Sequence, residues 1–219
     1  MFSPEQIERL KSICVSFRII LSEEMISKLL VYSDLILEWN ERIHLVSKND
    51  ANTDRILRHI IDSLSVFKVI DVPKDAMVMD LGSGAGFPII PMKIVREDIK
   101  PTLIESTHKK VLFLRKTTEV LKLRDIDIID LRAEHLPDDF YCRFDLVTVR
   151  ALGKLPIILN LSFPFLRIGG ILAIYKGKGV EKELKNSLIF HSWQIHDIAK
   201  IEIPEINISR SLLIIKRIR

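Results

Sequence analysis

The amino-acid sequence predicts a Rossmann-like α/β fold, in which a doubly wound, mostly parallel sheet follows an N-terminal helical cap. After residue 73, short apolar runs alternate with amphipathic segments of helical length, a pattern typical of a parallel sheet covered on both faces. A glycine-rich turn over residues 80–86 follows the first of these runs. Before residue 73 the apolar residues keep a helical period with no strands between them. We therefore expect a cap over residues 1–72, packed on a core domain over residues 73–219.

The helices of the cap are predicted from the spacing of their apolar residues. Ser22 is of a type favoured at helix N-caps, and after it apolar residues recur at alternating steps of four and three, which places them on one helix face. A shorter helix is expected over residues 4–17. The first face comprises Met25, Leu29, Tyr32, Ile36, Trp39 and Ile43, and a second helix is predicted from Ile56, Ile60, Leu64 and Phe67.

The strands of the core domain are predicted from short apolar runs separated by helical segments. Strands spaced by helices indicate a doubly wound sheet. The predicted strands cover residues 77–81, 102–105, 126–131, 144–149 and 171–175, with a last strand over residues 211–217 paired with residues 194–203. Of the helices between them, one reaches Val95 and another has Val111, Leu114, Thr118 and Leu121 in line.

Composition leaves the partner of the protein open. The 219 residues contain 33 Lys and Arg against 29 Asp and Glu, a formal net charge of +4. That excess permits a polyanionic partner such as RNA, but many enzymes of small molecules are equally basic. The two cysteines, Cys14 and Cys142, are far apart and no Cys/His cluster has zinc spacing, so we expect free thiols in a reducing compartment and no metal site.

Neither a membrane span nor a signal peptide is expected. The most apolar long stretch, residues 155–175, is interrupted by two prolines, Arg167 and a glycine pair. The first ten residues carry Glu5, Glu8 and Arg9, which a signal peptide would replace with an apolar segment. A cytoplasmic location is therefore expected.

The glycine-rich turn marks the expected ligand site. Gly82, Gly84 and Gly86 let the backbone turn sharply and approach a ligand closely, at the strand end where α/β folds bind ligands. Dinucleotide folds favour Gly-x-Gly-x-x-Gly, whereas the spacing here is Gly-x-Gly-x-Gly with Asp80 two residues before it. S-adenosylmethionine lacks phosphates and carries a sulfonium and an ammonium, which an acid at the strand end can meet. The turn therefore favours a methyltransferase over a nicotinamide dehydrogenase.

A second acid supports this interpretation. Glu105 ends the second predicted strand, where a carboxylate can accept both ribose hydroxyls of the same cofactor. The alternative is a tight structural turn flanked by two solvated acids.

Residues across most of the chain resemble a known family. Residues 80–91 resemble the cofactor loop of the RsmG family, also called glucose-inhibited division protein B, which are bacterial N7-guanine methyltransferases of small-subunit ribosomal RNA. This chain has Ile89, His44 and Val149 where the family usually has Gly, Asn and Ser. Further matches across most of the chain follow in the family's order: Trp39-Asn40, the His-x-x-Asp-Ser-Leu of residues 59–64, Glu105-Ser106 with Lys109-Lys110, Arg132-Ala133-Glu134, Arg150-Ala151 and Lys176-Gly177.

The resemblance implies a class I methyltransferase fold and a set of cofactor-binding residues. Ala133 and Glu134 would lie beside the adenine, although Glu134 also fits an ordinary acid at a helix start. Arg150 would close the site at the end of its strand. With the glycine turn, the implied set for S-adenosylmethionine is Asp80, Gly82, Gly84, Gly86, Phe87, Glu105, Ala133, Glu134 and Arg150.

The implied reaction needs no general base, because N7 of guanine attacks with a neutral lone pair that carries no proton. Alignment of N7, methyl carbon and sulfur then supplies most of the catalysis, and well-oriented reactants gain roughly 7–11 kcal/mol in this way. Arg132, Arg150 and Lys176 are the candidate catalytic residues, which would hydrogen-bond O6 or hold flanking phosphates.

Substrate contacts are expected from His59, Lys109 and Lys110. His59 and Asp62 share one helix face, either at the mouth of the site or as a surface pair that orders the cap. The lysines either contact RNA or form a solvated face. The expected partner is 16S ribosomal RNA, the 30S subunit or an assembly intermediate, and the protein is expected to be a monomer. A methyltransferase of a non-RNA substrate and an rRNA-binding assembly module stay open as alternatives.

Overall fold

A computed structural model describes residues 2–150, 153–177, 180–185 and 193–219. The helices are α1 (Pro4–Ser16), α2 (Glu23–Asn40), α3 (Thr53–Leu64), α4 (Ile89–Val95), α5 (His108–Val120), α6 (Leu155–Ser162) and α7 (Val180–Lys185). The strands are β1 (Met77–Leu81), β2 (Lys100–Ile104), β3 (Asp127–Ile129), β4 (Phe144–Arg150), β5 (Leu166–Lys176), β6 (Trp193–Ile203) and β7 (Ile208–Arg217).

The seven strands form one sheet in the order β3-β2-β1-β4-β5-β7-β6. The first five are mutually parallel, and β7 runs antiparallel to both β5 and β6. The mostly parallel, doubly wound sheet predicted from the sequence is therefore confirmed, including the pairing of the last two strands. Among the described residues, no helix has the length and apolar character needed to cross a membrane.

The predicted helix after Ser22 is present, and its ends have identifiable causes. The Ser22 side chain accepts a hydrogen bond from the Met25 amide, which caps α2 at its start. At the other end, Oδ1 of Asn40 accepts hydrogen bonds from the amides of Leu45 and Val46 at 2.9 and 3.0 Å. The chain therefore leaves the helix at Asn40, and Ile43 lies beyond the helix to which its spacing assigned it.

The N-terminal helices and the sheet share one hydrophobic core. Leu10 of α1, Leu29 of α2 and Ile60 of α3 are fully buried in the same cluster as Ile90 of α4 and Phe113 of α5. A second cluster on the opposite face of the sheet joins α6 and α7 to the strands. Helices thus cover both faces. The division into a cap over residues 1–72 and a domain over residues 73–219 stays a prediction.

Several predicted elements differ in detail from the structure. The strand expected over residues 102–105 is Lys100–Ile104, the strand expected over residues 126–131 is the shorter Asp127–Ile129, and the second cap helix ends at Leu64 rather than at Phe67. Strand β5 begins at Leu166 rather than after the glycine pair, because Gly169 has a φ of 83° and the register with β4 shifts at this point, so a bulge carries the strand through. On α5 the buried polar side chain is Thr117, whereas Thr118 is half-buried, because successive steps of three from Val111 through Leu114 reach residue 117.

Candidate cofactor and substrate site

The candidate site lies at the carboxyl ends of the central strands. The chain passes from β1 outward to β2 and β3, and then returns to place β4 on the other side of β1. Ligands of open α/β sheets bind where the strand order reverses in this way. The glycine turn after β1, Glu105 after β2 and Arg150 at the end of β4 meet at this edge.

The glycine turn is held against the end of β2 by its backbone. The amides of Gly82 and Ser83 both donate to the carbonyl oxygen of Ile104, at 2.9 and 3.1 Å. Gly82, Gly84 and Gly86 all have positive φ, at 71°, 55° and 91°. Three left-handed residues within five make a turn that other residue types adopt only with strain, so the glycines are explained by backbone geometry.

Gly86 is also required for packing. A Cβ at this position would lie 2.5 Å from Cγ1 of Ile90 and 3.1 Å from the hydroxyl of Tyr32. The Tyr32 hydroxyl donates to the carbonyl oxygen of Ala85 at 2.7 Å. Helix α2 therefore contacts the glycine turn directly, at a point where the turn leaves no room for a side chain.

Glu105 binds the backbone around the turn. Its Oε2 accepts from the amide of Gly84 at 2.9 Å, and its Oε1 accepts from the amide of Thr107 at 2.7 Å. Each carboxylate oxygen has a second lone pair that remains available to a ligand. The carboxylate was expected to accept ribose hydroxyls, and the structure gives it a further role in fixing the shape of the turn.

A cleft of about 390 Å³, called here the glycine-turn cleft, opens beside Glu105. Its lining includes five of the nine residues predicted to bind the cofactor, namely Gly82, Gly84, Glu105, Ala133 and Glu134, whereas Asp80, Gly86, Phe87 and Arg150 lie outside it. Arg132 and Lys110 also line it, so these two residues lie with the predicted cofactor contacts. Lys109, at the preceding position of α5, is exposed.

Sequence reasoning missed the apolar walls of the glycine-turn cleft. Leu131 and Ile157 line it and are 41% and 57% exposed, an unusual state for large apolar side chains at a strand end and on a helix that covers a sheet. Leu131 closes the apolar run of residues 126–131, a signal that was available. Ile157 carries no such signal, because only the placement of α6 brings it to the cleft.

Asp80 is buried beneath the turn with one oxygen unpartnered. Its Oδ1 accepts from the hydroxyl of Thr148 at 2.6 Å, whereas its Oδ2 is buried and has no hydrogen-bond partner among the described residues. Burial raises the pKa of Asp80 to about 7, although the Thr148 and Ser83 hydrogen bonds and the charge of Arg150 oppose the shift. A cation brought to this carboxylate would stabilise its charged form.

Arg150 lies at the centre of a buried polar cluster. Its Nη2 is 2.6 Å from Nδ1 of His59 and 3.2 Å from Oδ2 of Asp62, and its guanidinium lies over the ring of Phe87 at 5.3 Å. Asp62 also ion-pairs with Nε of Arg210 at 3.4 Å. The Arg150 side chain is only 13% exposed, and its Nη1 has no hydrogen-bond partner within the described part of the chain.

His59 is held neutral by this cluster. Burial, reinforced by the charge of Arg150, lowers the pKa of His59 to about 4. Because a guanidinium only donates hydrogen bonds, Nδ1 of His59 accepts and its proton resides on Nε2. His59, which is half-buried, and Asp62, which is buried, both contact Arg150 rather than forming a pair on the helix surface.

A second cleft, of about 340 Å³ and called here the Arg150 cleft, opens at the ends of β4 and β5. It is lined by His59, Arg150, Tyr175 and Lys176, among others. Nζ of Lys176 donates to the carbonyl oxygen of Gly153 at 2.8 Å and pairs with Glu183. The three candidate catalytic residues are thus divided, with Arg150 and Lys176 in this cleft and Arg132 in the other.

The two clefts lie side by side at the start of α6. Ile157 lines the glycine-turn cleft, and its neighbour Ile158 lines the Arg150 cleft. Phe87 lies toward the second cleft, with its ring centroid 5.2 Å from that of His59 and 5.5 Å from that of Tyr32. A methyl donor in the first cleft and an acceptor in the second would therefore be neighbours.

The positions at which this chain departs from the family pattern lie at different depths. Ile89 and Val149 are fully buried core residues, whereas His44 is exposed beyond α2. Ala151, which belongs to the Arg150-Ala151 match, lies outside the described residues. The described residues contain no group of three His, Cys, Asp or Glu side chains that could hold a metal ion.

The residues at the glycine turn fit S-adenosylmethionine. The buried and unpartnered Oδ2 of Asp80 suits a cationic amino acid portion, and the free lone pairs of Glu105 suit hydroxyl donors. Leu131 and Ile157 provide apolar surfaces for a flat ring. The glycine-turn cleft thus offers the hydroxyl-accepting and apolar contacts that this cofactor requires, and Asp80 lies buried beneath the turn outside its lining.

Solved structures share this fold. A SAM dependent methyltransferase from Aquifex aeolicus aligns with a TM-score of 0.55 at 17% sequence identity, covering 72% of this chain and 90% of that chain. M. jannaschii TYW2, solved in complex with AdoMet, aligns with a TM-score of 0.57 at 16% identity, covering 81% of this chain and 80% of that one. At these identities the likeness concerns the fold.

Sequence comparison identifies the family. The model of the GidB family, described as rRNA small subunit methyltransferase G, matches residues 25–213. The ribosomal RNA small subunit methyltransferase G of Acetivibrio thermocellus is 35% identical over 207 residues, which cover 93% of this chain and 85% of that protein. The protein of the same name from Clostridium botulinum strain Alaska E43 is 34% identical and covers 91% of this chain and 85% of its own length. The chain belongs to the rRNA small subunit methyltransferase G family.

Proposed function

We propose that this protein transfers a methyl group from S-adenosylmethionine to N7 of a guanine in small-subunit (16S) ribosomal RNA. The observation that carries the proposal is the adjacency of the two clefts, because Ile157 and Ile158 of α6 each line one of them. Membership of the rRNA small subunit methyltransferase G family supports the choice of reaction and substrate.

The glycine-turn cleft would hold the cofactor. Asp80 and the glycine turn would bind its amino acid portion, and Glu105 would accept hydrogen bonds from its ribose. Ala133 and Glu134 would lie beside the adenine, between the apolar side chains of Leu131 and Ile157. When bound, the cofactor supplies an electrophilic methyl group, and the chain orients it toward the Arg150 cleft.

The Arg150 cleft would hold the guanine. Arg150 and Lys176, which line this cleft, would donate hydrogen bonds to O6 of the base or to a phosphate beside it. Each is held in place, Arg150 by Asp62 and His59 and Lys176 by Glu183. This arrangement fixes the positive charges of Arg150 and Lys176 in the cleft and, among the described residues, supplies no side chain to act as a general base.

The protonation state of His59 agrees with a reaction that needs no general base. Its Nδ1 is occupied by Arg150, so the ring serves to orient the guanidinium rather than to take a proton from the substrate. Transfer to a neutral lone pair depends on alignment, which contributes roughly 7–11 kcal/mol for well-oriented reactants. The rigid contacts around Arg150 would provide that alignment.

We further propose that the substrate is 16S rRNA, either in the 30S subunit or in an assembly intermediate. The protein would act as a monomer. It would work in the cytoplasm, where such particles are found. Arg132 and Lys110, which line the glycine-turn cleft, and Lys109 beside it would contact the RNA as it crosses the bound cofactor.

The test is methyl transfer to a defined particle. The purified protein and methyl-labelled S-adenosylmethionine are incubated with small subunits from a strain that lacks this activity, followed by nuclease digestion and mass spectrometry of the nucleosides. The expected product is 7-methylguanosine in 16S rRNA. Label in protein or in small molecules, with none in RNA, would overturn the proposal.

A further inference from the structure

A smaller depression adjoins the Arg150 cleft on its outer side. Its volume is about 190 Å³, and it lies between the start of α3 and the start of β7. Arg55 and Arg58 line it from α3, Asn207 and Arg210 line it from the other side, and it shares His59 with the Arg150 cleft. We call it the arginine depression.

The arginine depression carries an excess of unpaired positive charge. Arg58 is half-buried and Arg55 is exposed, and neither side chain forms a hydrogen bond or an ion pair within the described residues. The third guanidinium, that of Arg210, shares the carboxylate of Asp62 with Arg150. The guanidinium groups of Arg55 and Arg58 are therefore free to bind a ligand.

The other groups that face the depression cancel only part of this charge, because three guanidinium groups line it against the two carboxylates of Asp50 and Asp62. Asp50 is the second carboxylate on its wall, and its Oδ2 accepts from the hydroxyl of Ser47 at 2.7 Å. His59, 3.8 Å from that oxygen, is neutral at physiological pH because its pKa is about 4. Asn207 and Ser209 are exposed and offer neutral hydrogen-bond donors. The set of donors is that of an anion site.

We propose that the arginine depression binds a backbone phosphate of the RNA strand, next to the guanine held in the Arg150 cleft. The proposal rests on the proposed function, since that function places the guanine. The depression is smaller than the Arg150 cleft and suits a phosphate rather than a base, and guanidinium groups bind phosphate oxygens in bidentate fashion. Its wall is continuous with the Arg150 cleft through His59 and Arg210, so one strand can occupy both.

The role of such a contact is to fix the register of the strand. A phosphate contact carries no sequence information, but it positions the neighbouring base and makes binding depend on salt. Removal of Arg55 and Arg58 should therefore weaken RNA binding and reduce its salt dependence, without affecting the binding of S-adenosylmethionine in the glycine-turn cleft.

The experiment compares two double variants of equal charge. Arg55→Gln with Arg58→Gln removes two charges from the depression, and Lys122→Gln with Arg124→Gln removes two exposed charges from the opposite edge of the sheet. Binding of a 16S rRNA fragment without cofactor is measured at several salt concentrations. We expect the first variant to bind severalfold more weakly, with a salt slope reduced by roughly 0.7 for each lost phosphate contact, and the second variant to match the wild type.

The outcomes separate this proposal from the proposed function. Equal affinities and equal salt slopes for the two double variants would overturn the phosphate site, even where methyl transfer proceeds. Absence of methyl transfer by the wild type would overturn the proposed function, whereas the binding measurement, which needs no turnover, still reads the phosphate contact.

A second arm distinguishes an RNA phosphate from a free one. Inorganic phosphate is compared with chloride at equal ionic strength as a competitor of RNA binding. Stronger competition by phosphate in the wild type than in the Arg55→Gln, Arg58→Gln variant supports the site. Competition of this kind with unchanged RNA affinity in that variant would identify a small-anion site and overturn the RNA assignment.

Discussion

The hydroxyl of Tyr32 donates a hydrogen bond to the carbonyl oxygen of Ala85 at 2.7 Å, which ties helix α2 to the glycine turn. Both groups are buried, so the loss of the hydroxyl would leave the carbonyl without a partner. An N-terminal helix, distant in sequence from the turn, therefore contributes to the shape of the cofactor cleft.

Tyr32→Phe should weaken the binding of S-adenosylmethionine and lower the free energy of unfolding by about 1–3 kcal/mol, because a buried acceptor loses its donor. The matched control is Tyr175→Phe, whose hydroxyl donates to the carbonyl oxygen of Ser63 at 2.8 Å, away from the turn. Urea unfolding and calorimetric titration are measured for both. Equal losses of cofactor affinity in the two variants would contradict a specific role for Tyr32.

Gly86→Ala should lower stability and abolish cofactor binding. Its φ of 91° strains any other residue, and the added Cβ would lie 2.5 Å from Cγ1 of Ile90. Gly169→Ala is the control, because Gly169 has a φ of 83° but open space around it. We expect the control to cost about 1 kcal/mol from backbone strain and to bind the cofactor normally. Thermal melts and calorimetry check both, and a Gly86→Ala protein of wild-type affinity would refute the packing argument.

Asp80 should make stability depend on pH in the direction opposite to an ordinary carboxylate. Burial raises its pKa from 3.8 to about 7, so between these values the folded protein keeps a proton that the unfolded chain has lost. Stability is therefore lost as pH rises through this window, by about 1.4 kcal/mol per pH unit. Asp80→Asn removes this dependence. Between pH 5 and pH 7 the unfolding free energy of the wild type should fall relative to that of Asp80→Asn. If the difference between the two proteins is the same at both pH values, the pKa of Asp80 is not raised.

The same residue should make cofactor binding depend on pH. Because a cationic ligand favours the ionised Asp80, the affinity for S-adenosylmethionine should rise with pH up to about 7, by roughly tenfold per unit at most, with release of a proton below that value. Calorimetry in buffers of different ionisation enthalpy measures the released proton. Asp80→Asn should bind weakly at every pH, and a wild type that releases no proton would show that the cation binds elsewhere.

Arg150→Ala and Lys176→Ala should lower turnover by roughly a hundredfold or more, because each removes a preorganised donor from the Arg150 cleft. Cofactor affinity should change little in Lys176→Ala, since Lys176 lies outside the lining of the glycine-turn cleft. Arg150→Ala should weaken cofactor binding as well, because the charge of Arg150 favours the ionised form of Asp80. Single-turnover rates and calorimetry check this. Arg150→Ala should also cost stability, because among the described residues Asp62 would keep Arg210 alone as an ion partner. Wild-type turnover in both variants would remove them from the active site.

The sequence was sufficient for the parts of the molecule that follow from local patterns. The strand over residues 77–81 was predicted with its observed bounds, since a buried strand and a glycine turn have local signatures. The contacts around Arg150 could not be predicted from the sequence, because Arg150 and His59 are 91 residues apart. Only the packing of α3 against the strand ends brings them together. Ile157 was missed for a similar reason, since only the placement of α6 brings it to the cleft, whereas Leu131 closes an apolar run that the sequence does show.

Strand β7 lies between β5 and β6 in the sheet, although it follows both in the chain. On a translating ribosome, β6 would therefore emerge with no neighbour to pair with, and the edge of β5 would stay open until residues 208–217 had been made. A nascent chain halted before that point would present two unpaired strand edges, which invite aggregation. The order of synthesis thus delays completion of the sheet, and of the wall that Arg210 contributes, until the final strand is inserted.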